Sequence, residues 1–341
     1  MIKKIFNKIK EFIKDEYKNI LLFVVLYSIF MWPLDYYIIT GGGIMEIDDR
    51  IVVEDRYDSE GSFNLAYVSE AGGTVATYLL SYIIPNWERI EASSYTYDEN
   101  ETVEDVEFRG KIDLSTANDN AIKNAFLEAG KTYKITDKNI YVYYVDLDSE
   151  NKFEVGDEVI KINDKEITST DTFKEELSKY TIDDEINITV IRDNKEKNLE
   201  VKLYEKDKEA ILGIYLTEVN KYKTYPKVKF DFKSGESGPS GGLMSALDIY
   251  NKITEEDLTN GLKIAGTGEI DEDGNIGTIG GVKYKLLGAA KQKADIFLVP
   301  SGENYKECVR VAKENDLDIK IIEVSTLKEA IEKLQKIDQE D

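Results

Sequence analysis

Residues 226–253, PKVKFDFKSGESGPSGGLMSALDIYNKI, leave few choices of fold. Val228, Phe230 and Phe232 alternate as in a half-buried strand, and Leu243, Met244, Ala246, Leu247, Ile249, Tyr250 and Ile253 recur at helical spacing. Ser240 sits where one period gives way to the other. Gly238, Gly241 and Gly242 let backbone come close to a ligand there. Amides at the helix start point outward with partial positive charge. A serine so placed either caps the helix or acts as a nucleophile, and local features leave both open.

Composition narrows the chemistry. There is no histidine among the 341 residues, which excludes Ser-His-Asp triads and His-based metal sites. The one cysteine, Cys308, excludes an intrachain disulfide and a cysteine metal cluster, and its helical context YKECVRVAKE reads as core. No cofactor and no metal are expected. Hydrolysis would have to use Ser, Thr, Lys, Asp, Glu or Tyr. The formal net charge of −23 opposes binding to nucleic acid.

At the N-terminus six lysines (Lys3, Lys4, Lys8, Lys10, Lys14, Lys18) precede an apolar run from Ile20 to Leu34. Extended to Ile39, the run has the length of a transmembrane helix, with Tyr27, Trp32, Tyr36 and Tyr37 as interfacial aromatics. No small-x-small site follows it, which disfavours a cleaved signal peptide. The lysines put the N-terminus in the cytoplasm and everything after residue 40 outside.

Beyond GGGI come β-like pieces at Ile44–Val53 and Ser62–Val68, then an acidic stretch over 93–109 that reads as a loop. LSTANDNAIKNAFLEAG reads as a helix capped by Ser115 or Thr116 and closed by Gly130. AFLEAGKT nearly matches a phosphate-binding loop, but there the glycine leaves a helix and the chain enters β-like TYKI, the reverse of what phosphate binding needs. Residues 138–205 alternate strands around one helix, TSTDTFKEELSKY, with hairpin signals at Asn163-Asp164-Lys165 and Asp193-Asn194. The stretch Val155-Gly156-Asp157-Glu158-Val159-Ile160-Lys161-Ile162-Asn163 and the helix after it resemble a PDZ domain, which implies binding of extended peptides by β-augmentation. No small-Pro-Ala stretch precedes the Gly-Asp.

A nucleophilic serine without histidine needs a lysine held neutral by apolar surroundings. In AGTGEIDEDGNIGTIGGVKYKLLGAAKQKADIFLVP, a strand, an Asp-Gly hairpin, a glycine turn, a helix Val282–Lys293 and a strand Ile296–Val299 follow one another. Lys285 shares a face of that helix with Val282, Leu286 and Ala289.

SGPSGG, AGTGEIDEDGNIGTIGGVKYKLLGAA and FLVP together resemble the proteolytic domain of Lon-type serine proteases. With the N-terminal segment and the PDZ-like unit, the chain is similar to the membrane-anchored PDZ-Lon proteins of Gram-positive bacteria. The resemblance implies a Ser-Lys dyad of Ser240 and Lys285, support of the lysine by Thr267, and an oxyanion site in the backbone at Gly238, Pro239 and Gly241. Two positions depart from the family pattern: Gly241 stands where alanine is usual, and Ser237 stands where an acidic residue often precedes Gly-Pro-Ser, with Glu236 one place earlier. The expected fold is α+β, an N-terminal transmembrane helix and a Lon-type proteolytic domain with an inserted PDZ-like domain. Its expected boundaries are 1–19 (cytoplasmic, basic), 20–39 (anchor), 40–136 (N-terminal part of the protease domain), 137–205 (PDZ-like) and 206–341 (dyad-bearing). The expected function is ATP-independent cleavage of extended or unfolded polypeptides outside the membrane. The alternatives are a peptide-binding adaptor on a degenerate protease scaffold and a signal-peptidase-like enzyme, and the latter is disfavoured by the distance of Ser240 from the anchor.

Overall fold

The computed structural model describes residues 2–146, 149 and 151–337. Leu147, Asp148 and Glu150 of the PDZ-like stretch, residues 338–341 of the last stretch, and Met1 lie outside the described residues. The chain divides into two compact units, residues 1–41 with 68–97, and residues 42–67 with 98–341. The elements up to residue 91 are α1 (Ile2–Phe30), β1 (Pro33–Glu46), β2 (Ile51–Val53), β3 (Ser62–Thr74), α2 (Val75–Leu80) and β4 (Glu88–Glu91).

In the smaller unit the expected apolar helix over 20–39 does not form. Helix α1 stops at Phe30, because Pro33 has no N–H to continue it and instead opens a strand. The apolar part of α1, from Ile20, rises only about 16 Å. Among the described residues no helix is long and apolar enough to cross a membrane. The first half of β1 pairs antiparallel with β4, Tyr36 opposite Glu91 and Ile39 opposite Glu88. Thr74 and Thr77 close a capping box at the start of α2.

In the larger unit, α3 (Val103–Glu128) starts well before the expected Ser115 or Thr116 cap. Thr102 accepts from the Asp105 amide, and the Asp105 carboxylate accepts from Thr102 in return. The acidic stretch therefore turns helical at residue 103, where acids in the first turn favour the helix dipole. Ser115 lies inside the helix and donates to the Lys111 carbonyl. Gly130 sits in the left-handed region (φ 64°) just past the helix end, and a strand follows.

That strand, β5 (Tyr133–Val145), begins a second sheet with β6 (Glu158–Ile162), β7 (Lys165–Glu166), β8 (Glu185–Arg192), β9 (Lys195–Lys202) and β12 (Ile214–Thr224), while α4 (Thr170–Leu177) lies between β7 and β8 in the chain and β10 (Tyr204–Lys206) pairs with β11 (Glu209–Ile211) in a separate hairpin. The order of the second sheet is β12-β5-β6-β8-β9, so the sheet runs past the expected boundary at 205 and ends on β12. The pattern did not show this, because β12 is mostly half-buried and alternates weakly. Asp193 and Asn194 take positive φ in the two-residue β8–β9 turn. Ile140, Val142, Ile162, Phe173, Ile188 and Val190 form a separate core. Arg192 grips the fully buried Asp157 carboxylate with Nε and Nη2, both at 2.6 Å, and so fixes the Gly156-Asp157 turn. Gly156 (φ 96°) lies against the Phe108 ring of α3.

The remaining elements are β13 (Val228–Phe230), α5 (Gly242–Ile253), β14 (Lys263–Gly266), β15 (Glu269–Ile270), β16 (Ile276–Gly277), α6 (Val282–Lys291), β17 (Ile296–Pro300), α7 (Glu303–Glu314), β18 (Lys320–Val324) and α8 (Leu327–Gln335). β13 pairs with β2, and β14 lies parallel between β3 and β17, with β18 beyond. Strands on either side of the PDZ-like stretch thus join one another. Successive residues of β14 and β17 feed two cores, as expected of a sheet covered on both faces. Ile264, Ile296 and Leu298 pack with α5 and α8. Ala265, Phe297 and Val299 pack with α6 and α7, where Cys308 is fully buried and burial pushes its thiol up to about 12.

Candidate active site

The turn after β13 is shaped by close packing. A Cβ on Gly242 would lie 2.5 Å from Ile270 Cγ2, and one on Gly241 3.0 Å from Leu65 Cδ1. Gly238 needs φ 90°. The turn is held by its carbonyls and amides: the Ser240 carbonyl accepts from the Gly268 amide at 2.8 Å and from Thr267 Oγ1 at 3.0 Å, and the Gly242 amide donates to the Pro239 carbonyl at 3.1 Å. Ser240 is therefore pinned at the start of α5 with its side chain partly exposed.

Helix α6 delivers the lysine. Val282, Leu286 and Ala289 face the core, and Lys285 on the same face is driven inward until only 3% of it is exposed. Lys283 points elsewhere, its Nζ 5.3 Å from the Tyr284 ring centre. Lys285 Nζ lies 2.8 Å from Ser240 Oγ and 3.0 Å from Thr267 Oγ1. Thr267, fully buried between β14 and β15, bridges the two partners by bonding Lys285 and the Ser240 carbonyl. Burial disfavours a charged amine, the condition under which a lysine can act as a base.

The expected oxyanion backbone needs correction. The Gly238 amide is spent on the Gly110 carbonyl of α3 at 2.8 Å, and Pro239 has no N–H. Among the described residues the Ser240 and Gly241 amides make no hydrogen bond, and they stand at the positive end of α5. Of the three expected positions only Gly241 carries a free donor, and Ser240 supplies the second. Glu236, three residues before Pro239, has its carboxylate occupied by Arg50 and by the Lys233 amide. Burial pushes its carboxyl up, but a fork from Arg50 (2.9 and 2.8 Å) outweighs this and holds it below the usual range.

Sequence reading missed Gly110, Asp113, Asn120 and Glu269. Glu269, on β15, lines a cleft that Pro239 walls beside Ser240, and its place two residues after Thr267 was the one available signal. Asp113 and Asn120 come from α3, about 120 residues earlier, with no local signal. Burial, and then the charge of Asp113, raise the Glu269 carboxyl, while Lys285 pulls it the other way. Among the described residues no group of three or more Cys, Asp or Glu is placed to hold a metal ion.

Residues 232–336 match the Lon protease (S16) C-terminal proteolytic domain. The match contains Ser240, Thr267 and Lys285. Residues 119–203 match the PDZ domain family. Curated relatives are Lon proteases. That of Aster yellows witches'-broom phytoplasma is 35% identical over 92 residues, covering 27% of this chain and 11% of the relative. That of Xanthomonas oryzae pv. oryzae is 30% identical over 121 residues (36% and 14%). That of Campylobacter concisus is 33% identical over 96 residues (28% and 12%). The chain thus spans only 11–14% of the length of these relatives. Among solved structures, the PDZ domain of an SdrC-like protein from Listeria monocytogenes aligns with 24% of this chain and 92% of its own at 23% identity and TM-score 0.23.

Proposed function

We propose that this chain is a serine endopeptidase that cleaves extended or unfolded polypeptides without ATP. The observation that carries the reading is the 2.8 Å contact of a buried lysine amine with a serine hydroxyl at a helix N-terminus. Neutral Lys285 takes the Ser240 proton as Oγ attacks the peptide carbonyl carbon. The Ser240 and Gly241 amides hold the resulting oxyanion. The intermediate collapses to an acyl-enzyme, and the leaving amine departs with the proton from Lys285. Water, deprotonated by the same lysine, then releases the acid. Thr267 orients the amine. The match to Lon proteolytic domains supports this chemistry. Independence from ATP is part of the same proposal, and the near-match AFLEAGKT does not argue against it, since Gly130 there follows a helix instead of opening one.

Pairing of β2 with β13 and of β3 with β14 supports the PDZ-like sheet as an insertion within the protease domain, where it presents or gates substrates. Attachment to a membrane, with the catalytic part outside, is supported by the exposed apolar residues Leu21–Trp32 behind a basic segment. Recovery of the full chain in the soluble fraction of its own cell would overturn that placement.

The decisive test compares the full chain with Ser240→Ala and Lys285→Ala. Each is incubated with an unfolded protein without ATP, and fragments are read by mass spectrometry. Wild type alone should produce fragments and should alone react with a covalent serine probe. Folded wild type that neither cleaves nor labels would favour the adaptor.

A further inference from the structure

Beside the nucleophile turn lies a cleft of about 340 Å³, with room for one long side chain. Pro239, bonded to Ser240, forms one wall. α3 contributes Asp113, Ala117 and Asn120, and the β15–β16 hairpin contributes Glu269, Ile270 and Ile276. The lining is an apolar sleeve with carboxylates, and these carboxylates are not equivalent. Asp271 is used by its own turn, accepting from the amides of Asp273 and Asn275 and from Asn275 Nδ2. Asp113 accepts from the Tyr143 hydroxyl at 2.9 Å, and the charge of Arg109 also acts on it. The Glu269 carboxylate, on a half-buried residue whose backbone pairs with Gly277, makes no hydrogen bond or ion pair among the described residues. The cation that acts on it is Lys285, the group that proton transfer requires to be neutral.

We propose that this cleft receives a lysine or arginine side chain of the substrate next to the cleaved bond, and that Glu269 selects it. The inference rests on the Ser240–Lys285 reading. A partly desolvated carboxylate without a partner is unfavourable, and a neutral side chain in the cleft would strip away more of its water. A cationic side chain replaces that water with a charge-assisted hydrogen bond while its methylene stem lies on Ala117, Pro239, Ile270 and Ile276. Pairing with Glu269 also screens its negative charge from Lys285, which favours the neutral amine.

The experiment uses the full chain and peptides identical except at one position near the cleaved bond, which carries arginine, lysine, norleucine or glutamate. Wild type should favour arginine and lysine over norleucine by about tenfold or more in kcat/KM, and disfavour glutamate further. E269Q should bring the arginine-to-norleucine ratio close to one. D113N, which leaves Glu269 in place, should keep most of the preference and serves if E269Q does not fold. Equal rates for arginine and norleucine in wild type would overturn the inference, as would a preference that E269Q leaves intact. A covalent serine probe separates the two levels. Labelling of Ser240 without a preference for cations sinks this inference alone, whereas no labelling and no cleavage sink the dyad reading as well.

Discussion

Thr267→Val removes one hydroxyl from the centre of the site and nearly preserves its shape. In the native structure that oxygen accepts from Lys285 Nζ at 3.0 Å and donates to the Ser240 carbonyl at 3.0 Å. The Ser240 carbonyl keeps the Gly268 amide, so losing the second bond should cost about 0.5–1.5 kcal/mol. The Lys285 amine loses a buried acceptor, a change in the range of about 1–3 kcal/mol. Together the substitution should destabilise the fold by roughly 2–4 kcal/mol, less whatever relaxation returns. The amine would also lose the contact that aims it at Ser240. Misorientation of a base typically lowers rates by about ten- to a hundredfold, since each 1.36 kcal/mol in the barrier is about a factor of ten. The assay pairs kcat/KM on an unfolded protein with denaturant unfolding of the same samples. Thr267→Ser, which keeps the hydroxyl, should recover most of the activity. Valine activity within about twofold of wild type, or serine as impaired as valine, would refute the bridging role given to this hydroxyl.

Other consequences are as direct. Gly242→Ala places a methyl 2.5 Å from Ile270 Cγ2 and 3.1 Å from the Ile270 nitrogen, so it should cost about 1–3 kcal/mol and displace the turn that holds Ser240. A melting curve and probe labelling should both report it. Arg192→Ala leaves the buried Asp157 without its cation and should destabilise the second sheet by about 3–5 kcal/mol, read as faster amide exchange in β6 and β8. Burial raises the Asp119 carboxyl to about 7 against the pull of the Asn220 amide, so the native state holds a proton that the unfolded chain has released. Its contribution should be fully present below about pH 4 and lost as pH rises to about 7. Asp119→Asn should flatten that part of the stability curve and stabilise the fold at pH 8 by roughly 2–4 kcal/mol, measured by urea unfolding across pH.

Local signals were readable wherever short-range chemistry decides structure. Asp193-Asn194 gave its turn, Gly130 its helix end, and the face shared by Val282, Leu286 and Ala289 pointed Lys285 inward. Where composition masked a signal, the reading went astray. The run over 93–109 is so acidic that it reads as loop, yet Thr102 and Asp105 form a capping box within it. Apolar residues continue past Phe30, but Pro33 ends the helix whatever its neighbours prefer. Strand β12 shows little alternation because part of what defines it is its long pairing with β5, a partner distant in sequence.

By itself the sequence determined the inventory. It contains no histidine, one cysteine, and a serine in a glycine-rich turn between a strand and a helix, so any base had to be a residue such as lysine. It also determined which lysine turns inward, because helical periodicity is a property of neighbours three and four residues apart. Only the tertiary structure decided the site. Ser240, Thr267 and Lys285 meet because parallel β14 and β17 and the α5 and α6 helices pack on one sheet. The Gly238 amide is spent on Gly110, and Glu269 is left facing the cleft, because α3 lies across the nucleophile turn. Hydrogen bonds and charge interactions between segments a hundred residues apart depend on distances of a few ångströms, and no pattern along the chain encodes those distances.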